Sequence, residues 1–552
     1  VTGFRVGAAA AALLLVGLPL ALPVVFSLTE PDSWRAWREG DRLVALLDTT
    51  ARLAGLVWLL AVPLGGVLGF LLFRSDVPLR RLWLAALVLA LFVPLPLLAS
   101  AWQAVFGSGG FLGEYRPAGW WGEPGLLAWT PWGQGLVAAA WIHALAALPW
   151  VVLLVGLGSR SVERELEEDA LTLGPWPWVL WRVTLPRLGP WLLAASVWVV
   201  VQTATEITVT DLFQVRTFAE EVYTQMVAPE VGAGDAVRRA TVACLPLLAG
   251  LAVVVALAAR AALGRLPSRE RFLREPLVVP LGGFRWPTAA LLAAVVAVLL
   301  VVPVAALIAR AGAPRGGDWE AAYLLGRLRL LWPGEARLLA VTFAVAATTG
   351  VLATGLALVL ALAARGSALF ATGVLALATV AWTMPAPLVG QGYRDLVDLV
   401  LAATGEPAFL RRWLYDGPSP VPLVVVDLVR FLPCALALVW PAVHAVPRGL
   451  LETARLDGLG PWGQLREVVL PLARPALWTS VLAVGLLTLG ELGASKRAST
   501  PDVPSYAESL FAQMHFGIDA DLAIRCLLLL AVVLPGALWL ALQRPGGAGP
   551  IS

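Results

Sequence analysis

The sequence predicts an all-α polytopic membrane protein with about twelve transmembrane helices in two parallel six-helix repeats. Three observations lead there. The chain of 552 residues is 59% hydrophobic and 14% charged, with a mean hydropathy of +0.80, so it lacks the polar surface to face water all round. Its apolar residues fall into runs long enough to cross a bilayer. A polar, acidic segment between two such runs occurs twice, once in each half of the chain.

In order, the predicted spans lie at roughly 6–28, 50–73, 82–106, 134–157, 188–212 and 238–263, then 286–310, 337–364, 369–391, 420–443, 474–497 and 520–542. Arg5 precedes the first run, which is longer than the apolar region of a signal peptide and reads as a spanning helix. The third and ninth spans are interrupted by matched prolines, Pro94 and Pro96 in one half and Pro385 and Pro387 in the other. Prolines there either kink the helix and free a carbonyl for a pathway or serve packing alone. The expected division is a first half over 1–264, a linker over 265–285 and a second half over 286–552.

Arginines set the orientation. Arg74, Arg80 and Arg81 follow the second span, Arg160, Arg164, Arg182 and Arg187 flank the acidic segment, and Arg265, Arg269, Arg271, Arg274 and Arg285 fill the linker. These loops share one side, which places the linker and both acidic segments in the cytoplasm. The tryptophans Trp120, Trp121, Trp129 and Trp132 read as an interfacial belt. A formal net charge of +3 gives no reason to expect nucleic acid. Cys244, Cys434 and Cys526 are scattered in apolar runs and form neither a disulfide framework nor a metal-binding spacing. His143 and His444 stand singly in or beside apolar runs and read as structural.

The duplicated segment runs Arg-Glu-Leu-Glu-Glu-Asp-Ala-Leu-Thr-Leu-Gly from Arg164 and Arg-Gly-Leu-Leu-Glu-Thr-Ala-Arg-Leu-Asp-Gly from Arg448. Glu168, Ala170 and Gly174 in the first copy match Glu452, Ala454 and Gly458 in the second, and Leu-Pro pairs at Pro186 and Pro471 close the two segments. Each copy predicts a short helix. Pro447 suits the start of the second, and Gly174-Pro175 and Gly458 followed by Gly460-Pro461 stop the two. Leu166, Ala170 and Leu173 give the first a small apolar stripe beside its acids. Such a helix buries little by itself and suits the grip of another protein.

This pattern resembles the EAA loop of binding-protein-dependent ABC importer permeases: Glu-Ala-Ala, three residues, Gly, a spacer and an aliphatic-x-Leu-Pro ending. Asp169 and Thr453 depart from it at the first alanine, and the first spacer is one residue shorter. The resemblance implies two fused MetI-like domains in a bacterial cytoplasmic membrane. It also implies two ABC ATPase subunits docked on the loops and an external substrate-binding protein on the opposite face. The fused layout and the Thr-Glu-Ile-Thr-Val-Thr-Asp stretch are most similar to ferric-iron and thiamine permeases, with ferric iron the first expectation.

Glu206 follows Pro186 at the interval by which Glu491 follows Pro471, and a helix of that length rises about 30 Å, one hydrocarbon thickness. Both acids are therefore expected towards the outer side, as pathway residues or as interfacial residues in contact with water. Asp211 and Lys496, the sole lysine, occupy matched positions beyond them and read either as an acid–base pair forming an outer gate or as interfacial residues in contact with water. The acids outnumber the lysine, which favours a cationic solute over an oxyanion.

No phosphate-binding loop is present, since Lys496 is followed by Arg497, so ATP is expected on partner subunits and no cofactor in this chain. No metal cluster, nucleophile elbow or catalytic acid–base set is found, and no enzymatic activity is expected. A twelve-helix secondary transporter is the alternative of another class, although a self-sufficient carrier has no use for twin docking helices.

Overall fold

The computed structural model describes residues 2–106, 135–227, 233–263, 276–314, 318–501, 503–517 and 519–542. The tryptophans of the expected belt and the linker arginines Arg265, Arg269, Arg271 and Arg274 lie outside the described residues. Among the described residues the protein is helical throughout, apart from one isolated backbone bridge between Ser75 and Val279.

The first half consists of α1 (Gly3–Thr29), α2 (Gly40–Arg74), α3 (Arg80–Leu91), α4 (Leu95–Phe106) and α5 (Leu136–Ser159), then α6 (Arg164–Leu173), α7 (Trp176–Thr205), α8 (Thr208–Leu212), α9 (Phe218–Val227) and α10 (Ala233–Leu263). The second half follows the same order. It has α11 (Gly282–Gly312), α12 (Ala321–Ala364), α13 (Ala368–Thr383), α14 (Ala386–Thr404) and α15 (Val421–His444), then α16 (Arg448–Leu456), α17 (Trp462–Thr488), α18 (Ser495–Ala498), α19 (Tyr506–Met514) and α20 (Ala520–Leu542). Ten helices are long and apolar enough to cross a membrane, or twelve if α3–α4 and α13–α14 each count as one span. The chain is a multi-pass membrane protein.

Those two pairs correct the third and ninth predicted spans. Neither is a straight crossing, because α3 and α4 meet at 101° and α13 and α14 at 112°. The bends fall at Pro94–Pro96 and at Pro385, where missing N–H groups and the ring's clash with the preceding turn end one helix and start another. Other limits shift for a different reason. The α2 helix begins at Gly40 rather than near 50, since Arg42 pairs with Glu39 and Arg52 with Asp48, each at 2.9 Å, and these polar turns are helical outside any apolar window. The fifth and eleventh spans also start earlier than expected, at Trp176 and Trp462, and end earlier, at Thr205 and Thr488. The Leu-Pro pairs do not close a loop. Pro186 and Pro471 lie inside α7 and α17, each just after a wider π-type turn, Leu180–Thr184 or Leu465–Val469, which accommodates the missing donor.

The two halves interlock. The later part of α1 lies on α14 and its start on α12, while α11 lies reciprocally on α3, α4 and α20. Within each half the tightest contacts use small residues that let backbones approach. A Cβ on Gly69 of α2 would sit 2.6 Å from the Val152 carbonyl oxygen of α5, and one on Gly350 of α12 would sit 2.4 Å from that of Val481 on α17. The α12–α17 contact also holds a buried hydrogen bond, Thr354 Oγ1 to Ser480 Oγ at 2.8 Å.

Between the halves the backbones approach closely at Gly392, where a Cβ would lie 1.7 Å from the Pro19 carbonyl oxygen. Backbone cannot yield as a side chain can. The variant Gly392→Ala is therefore expected to lose about 1–3 kcal/mol of stability, read as a lower melting temperature in detergent. An unchanged melting curve would show that α1 does not rest on α14.

Candidate functional site

The arginine-rich end of the molecule is assembled from the ends of α2, α5, α12 and α15, the segment before α11, and the two short helices α6 and α16. Each short helix starts from an extended residue, Glu163 or Pro447. The first stops at Gly174. The second stops at Gly458, whose φ of +82° favours glycine. In α6 the inward residues are Ala170 and Glu167, and in α16 the inward residue is Ala454. Glu168 and Glu452 both point outward; Glu168 pairs with Arg164 one turn back at 2.7 Å. Leu173, expected in the apolar stripe, is instead 80% exposed, and Leu456 in the other copy is 88% exposed. Exposed leucines beside exposed acids on paired short helices are a surface that a partner would cover.

Deeper in the molecule, α7 and α17 both stop short of the outer end. Glu206 ends α7 and caps α8, its carboxylate accepting from the N–H groups of Thr208 at 2.5 Å and Val209 at 3.0 Å. Glu491, beyond α17, accepts from the Ala494 N–H at 2.9 Å. The two breaks meet: a Cβ on Gly493 would lie 3.4 Å from Ile207 Cδ1. His143 of α5 brings Nε2 to 3.2 Å from the Glu206 carboxylate. Its Nδ1 lies 2.8 Å from the Ala139 carbonyl, which orients the ring towards the acid. In the second half Asp427 holds the place of His143 in the repeat. It is 3% exposed and its Oδ1 lacks a hydrogen-bond partner.

No protein-family model matches the chain. It is 28% identical over 192 residues to the molybdenum transport system permease protein ModB of Escherichia coli (strain K12), covering 34% of this chain and 80% of that protein. It is 27% identical over 248 residues to ModB of Mycobacterium tuberculosis, covering 44% of this chain and 90% of that one. It is also 23% identical over 217 residues to the Fe(3+)-transport system permease protein FbpB 2 of Haemophilus influenzae, covering 38% of each chain. The chain is homologous to ABC importer permeases.

The outer ends of the halves meet through side chains that sequence reasoning did not bring together. The pair expected between Asp211 and Lys496 is not formed. Asp211 takes His515 of the other half, at 3.0 Å, while the Lys496 ammonium lies over the Phe511 ring and 3.8 Å from Glu508. The α19 helix supplies this substitution: Glu508 and Phe511 lie on it and His515 follows it, and Phe511 also meets Tyr223 of α9 edge-on at 6.2 Å. The network thus links α8, α9, α18 and α19 across the two halves. Glu508 and Glu220 were visible as a repeated Ala-Glu pair, and His143 and Asp427 stand at one interval before Glu168 and Glu452. For Arg74 and Glu167, discussed below, the only hint was Leu451, an apolar residue at the matched position of the second copy.

Among the described residues no group of three or more His, Cys, Asp and Glu could hold a metal ion. Glu220 is buried, with Oε2 unpartnered and Oε1 accepting from Thr224 at 2.6 Å. Burial pushes its carboxyl above the ordinary range, and Glu221 and Asp211 add repulsion that the Thr224 bond only partly offsets. The folded state therefore favours the neutral acid. Its contribution to stability is complete below the ordinary glutamate range and is lost as pH rises through the raised folded value. Melting of the wild type should fall over that rise, whereas Glu220→Gln should flatten the fall and melt higher near neutral pH. A variant that tracks the wild type at every pH would remove this account of Glu220.

Proposed function

We propose that this permease is the transmembrane subunit of a bacterial cytoplasmic-membrane ABC importer, with two fused halves serving as its two transmembrane domains. The observation behind this reading is the recurrence of α6 and α16. They are short, exposed amphipathic helices at the same place in one element order and at the arginine-rich end. In this reading two ATPase subunits dock there, one per helix, and bind the ATP that this chain has no loop to hold. An external binding protein delivers solute to the opposite end. Closure of the ATPases draws α6 and α16 together, and the halves part where α8, α9, α18 and α19 meet. The M. tuberculosis relative supports fusion, since nearly its whole length aligns with less than half of this chain.

For the solute we place a small oxyanion of the molybdate kind first. The earlier argument for a cation rested on surplus acid along the path. Each of those acids is committed to a partner here: Glu206 to two N–H groups and His143, Glu491 to the Ala494 N–H, and Asp211 to His515. Acids held in such caps and pairs serve the fold and make no independent case for a cation, so the balance passes to the relatives, and the ModB proteins of two organisms carry molybdenum transport in their names. Ferric iron is the second reading, on the likeness to FbpB 2.

The docking assignment is tested by Glu168→Arg combined with Glu452→Arg. Both side chains are exposed, so the protein should still insert, while charge reversal leaves a like or unpaired charge against the partner. The expected result is loss of ATPase association and of ATP-driven uptake. Full association would remove α6 and α16 as docking helices. Reconstitution with the ATPase and binding protein encoded nearby should give uptake of labelled molybdate. Uptake of ferric iron alone would reverse the order of the two solutes. Uptake by the purified chain without any ATPase would favour a secondary carrier instead.

A further inference from the structure

Arg74 ends α2 and is fully buried, as is Glu167 of α6. The two form an ion pair through Arg74 Nη2. Arg74 Nη1 donates to the Ser159 carbonyl at the end of α5, at 2.6 Å, and Nε to the Leu277 carbonyl before α11, at 2.9 Å. The Thr184 hydroxyl of α7 donates to the other Glu167 oxygen at 2.6 Å. The Arg74 carbonyl accepts from the Val279 N–H at 2.7 Å, and the Leu281 N–H donates to Asp76 at 2.8 Å. One buried ion pair thus joins the short helix to the ends of α2, α5 and α7 and to the strap that leads into the second half.

The second half lacks this joint. Arg365 ends α12 as Arg74 ends α2, but it donates to the Val443 and Val446 carbonyls at 2.9 and 3.0 Å. In α16 the position of Glu167 is Leu451. The α16 helix presents Ala454 to its surroundings and has no acid facing that arginine.

We propose that Arg74 and Glu167 are positioning residues of the transport cycle, making α6 the stiffly connected docking helix and leaving α16 the looser one. This rests on the importer reading above. A buried guanidinium bonded through each of its three nitrogens cannot slip against its partners without leaving a buried charge unpaired. Displacement of α6 therefore moves α2, α5, α7 and the strap together. The α16 helix, held by apolar contact, tolerates sliding.

The test uses the full-length permease with its two ATPase subunits in proteoliposomes, in a background carrying Asp211→Cys and His515→Cys. Oxidative cross-linking between positions 211 and 515 reports contact of the outer ends without requiring a known solute. In that parent, ATP with vanadate should lower cross-linking about fivefold or more. Glu167→Leu alone strands a buried arginine and is expected to misfold. The double change Arg74→Met with Glu167→Leu removes both charges and should insert, hydrolyse ATP and lose most of the ATP-dependent drop. Thr184→Val, which keeps the shape and removes only the donated hydroxyl, should shrink the drop part-way, and it decides the matter if the double variant fails to insert. A double variant or Thr184→Val variant with the full drop would mean that the joint only stabilises the fold, overturning the proposal. A parent that hydrolyses ATP with no change between 211 and 515 overturns the importer movement itself, and the proposal with it.

Discussion

Thr205, Ile207, Leu489 and Leu492 are buried where α7 and α17 end, so the backbone groups freed at those ends must be bonded within the protein. Glu206 meets that constraint with two bonds to the first N–H groups of α8, and Glu491 with one to the turn before α18. The rest of the outer half follows from these two caps. They allow a spanning helix to stop early, turn at the boundary between the halves and present α8 and α18 to each other. The same logic governs the next layer, where the Thr50 hydroxyl accepts from the Phe218 N–H that opens α9 and the Thr342 hydroxyl from the Tyr506 N–H that opens α19. A threonine on each long helix therefore fixes the outer helix of its own half.

What was legible in the sequence was local or repeated. The class followed from composition, and α6 and α16 followed from glycine and proline stops within a few residues of their acids. Matched prolines signalled interrupted spans, but not the near-right-angle turns of α3–α4 and α13–α14, because the angle depends on which neighbour receives the second helix. The limits of α2, α7 and α17 were missed because a hydropathy window sees only the apolar part of a helix. The polar turns beyond it are held by pairs such as Arg52–Asp48.

The central and outer contacts were harder, for a geometric reason. Repeat matching shows which positions are equivalent. It does not show which touch, unless both lie on the pseudo-symmetry axis. Asp211 and Lys496 are equivalent, yet each is captured by a nearer group from α19 or the residues after it. Arg74 and Glu167 are far apart in sequence and lie in helices that periodicity treats separately. Glu167 reads as one more acid in an acidic helix until the fold places an arginine beneath it.

The symmetric backbone carries an asymmetric set of charges. His143 stands where the second half has Asp427, Asp211 where it has Lys496, and Glu167 where it has Leu451. In a homodimer every contact across the axis must work with its own copy, so an acid near the axis faces an acid unless a base is shared. Two halves on one chain are free of that restriction. Asp211 can take His515 while Lys496 takes Glu508, and one arginine can grip α6 while its equivalent grips a neighbouring helix end. Two halves on one chain thus permit α6 and α16 to be connected to the membrane helices in different ways without disturbing the fold they share. The buried Arg74–Glu167 pair is the point where that freedom has altered the connection most.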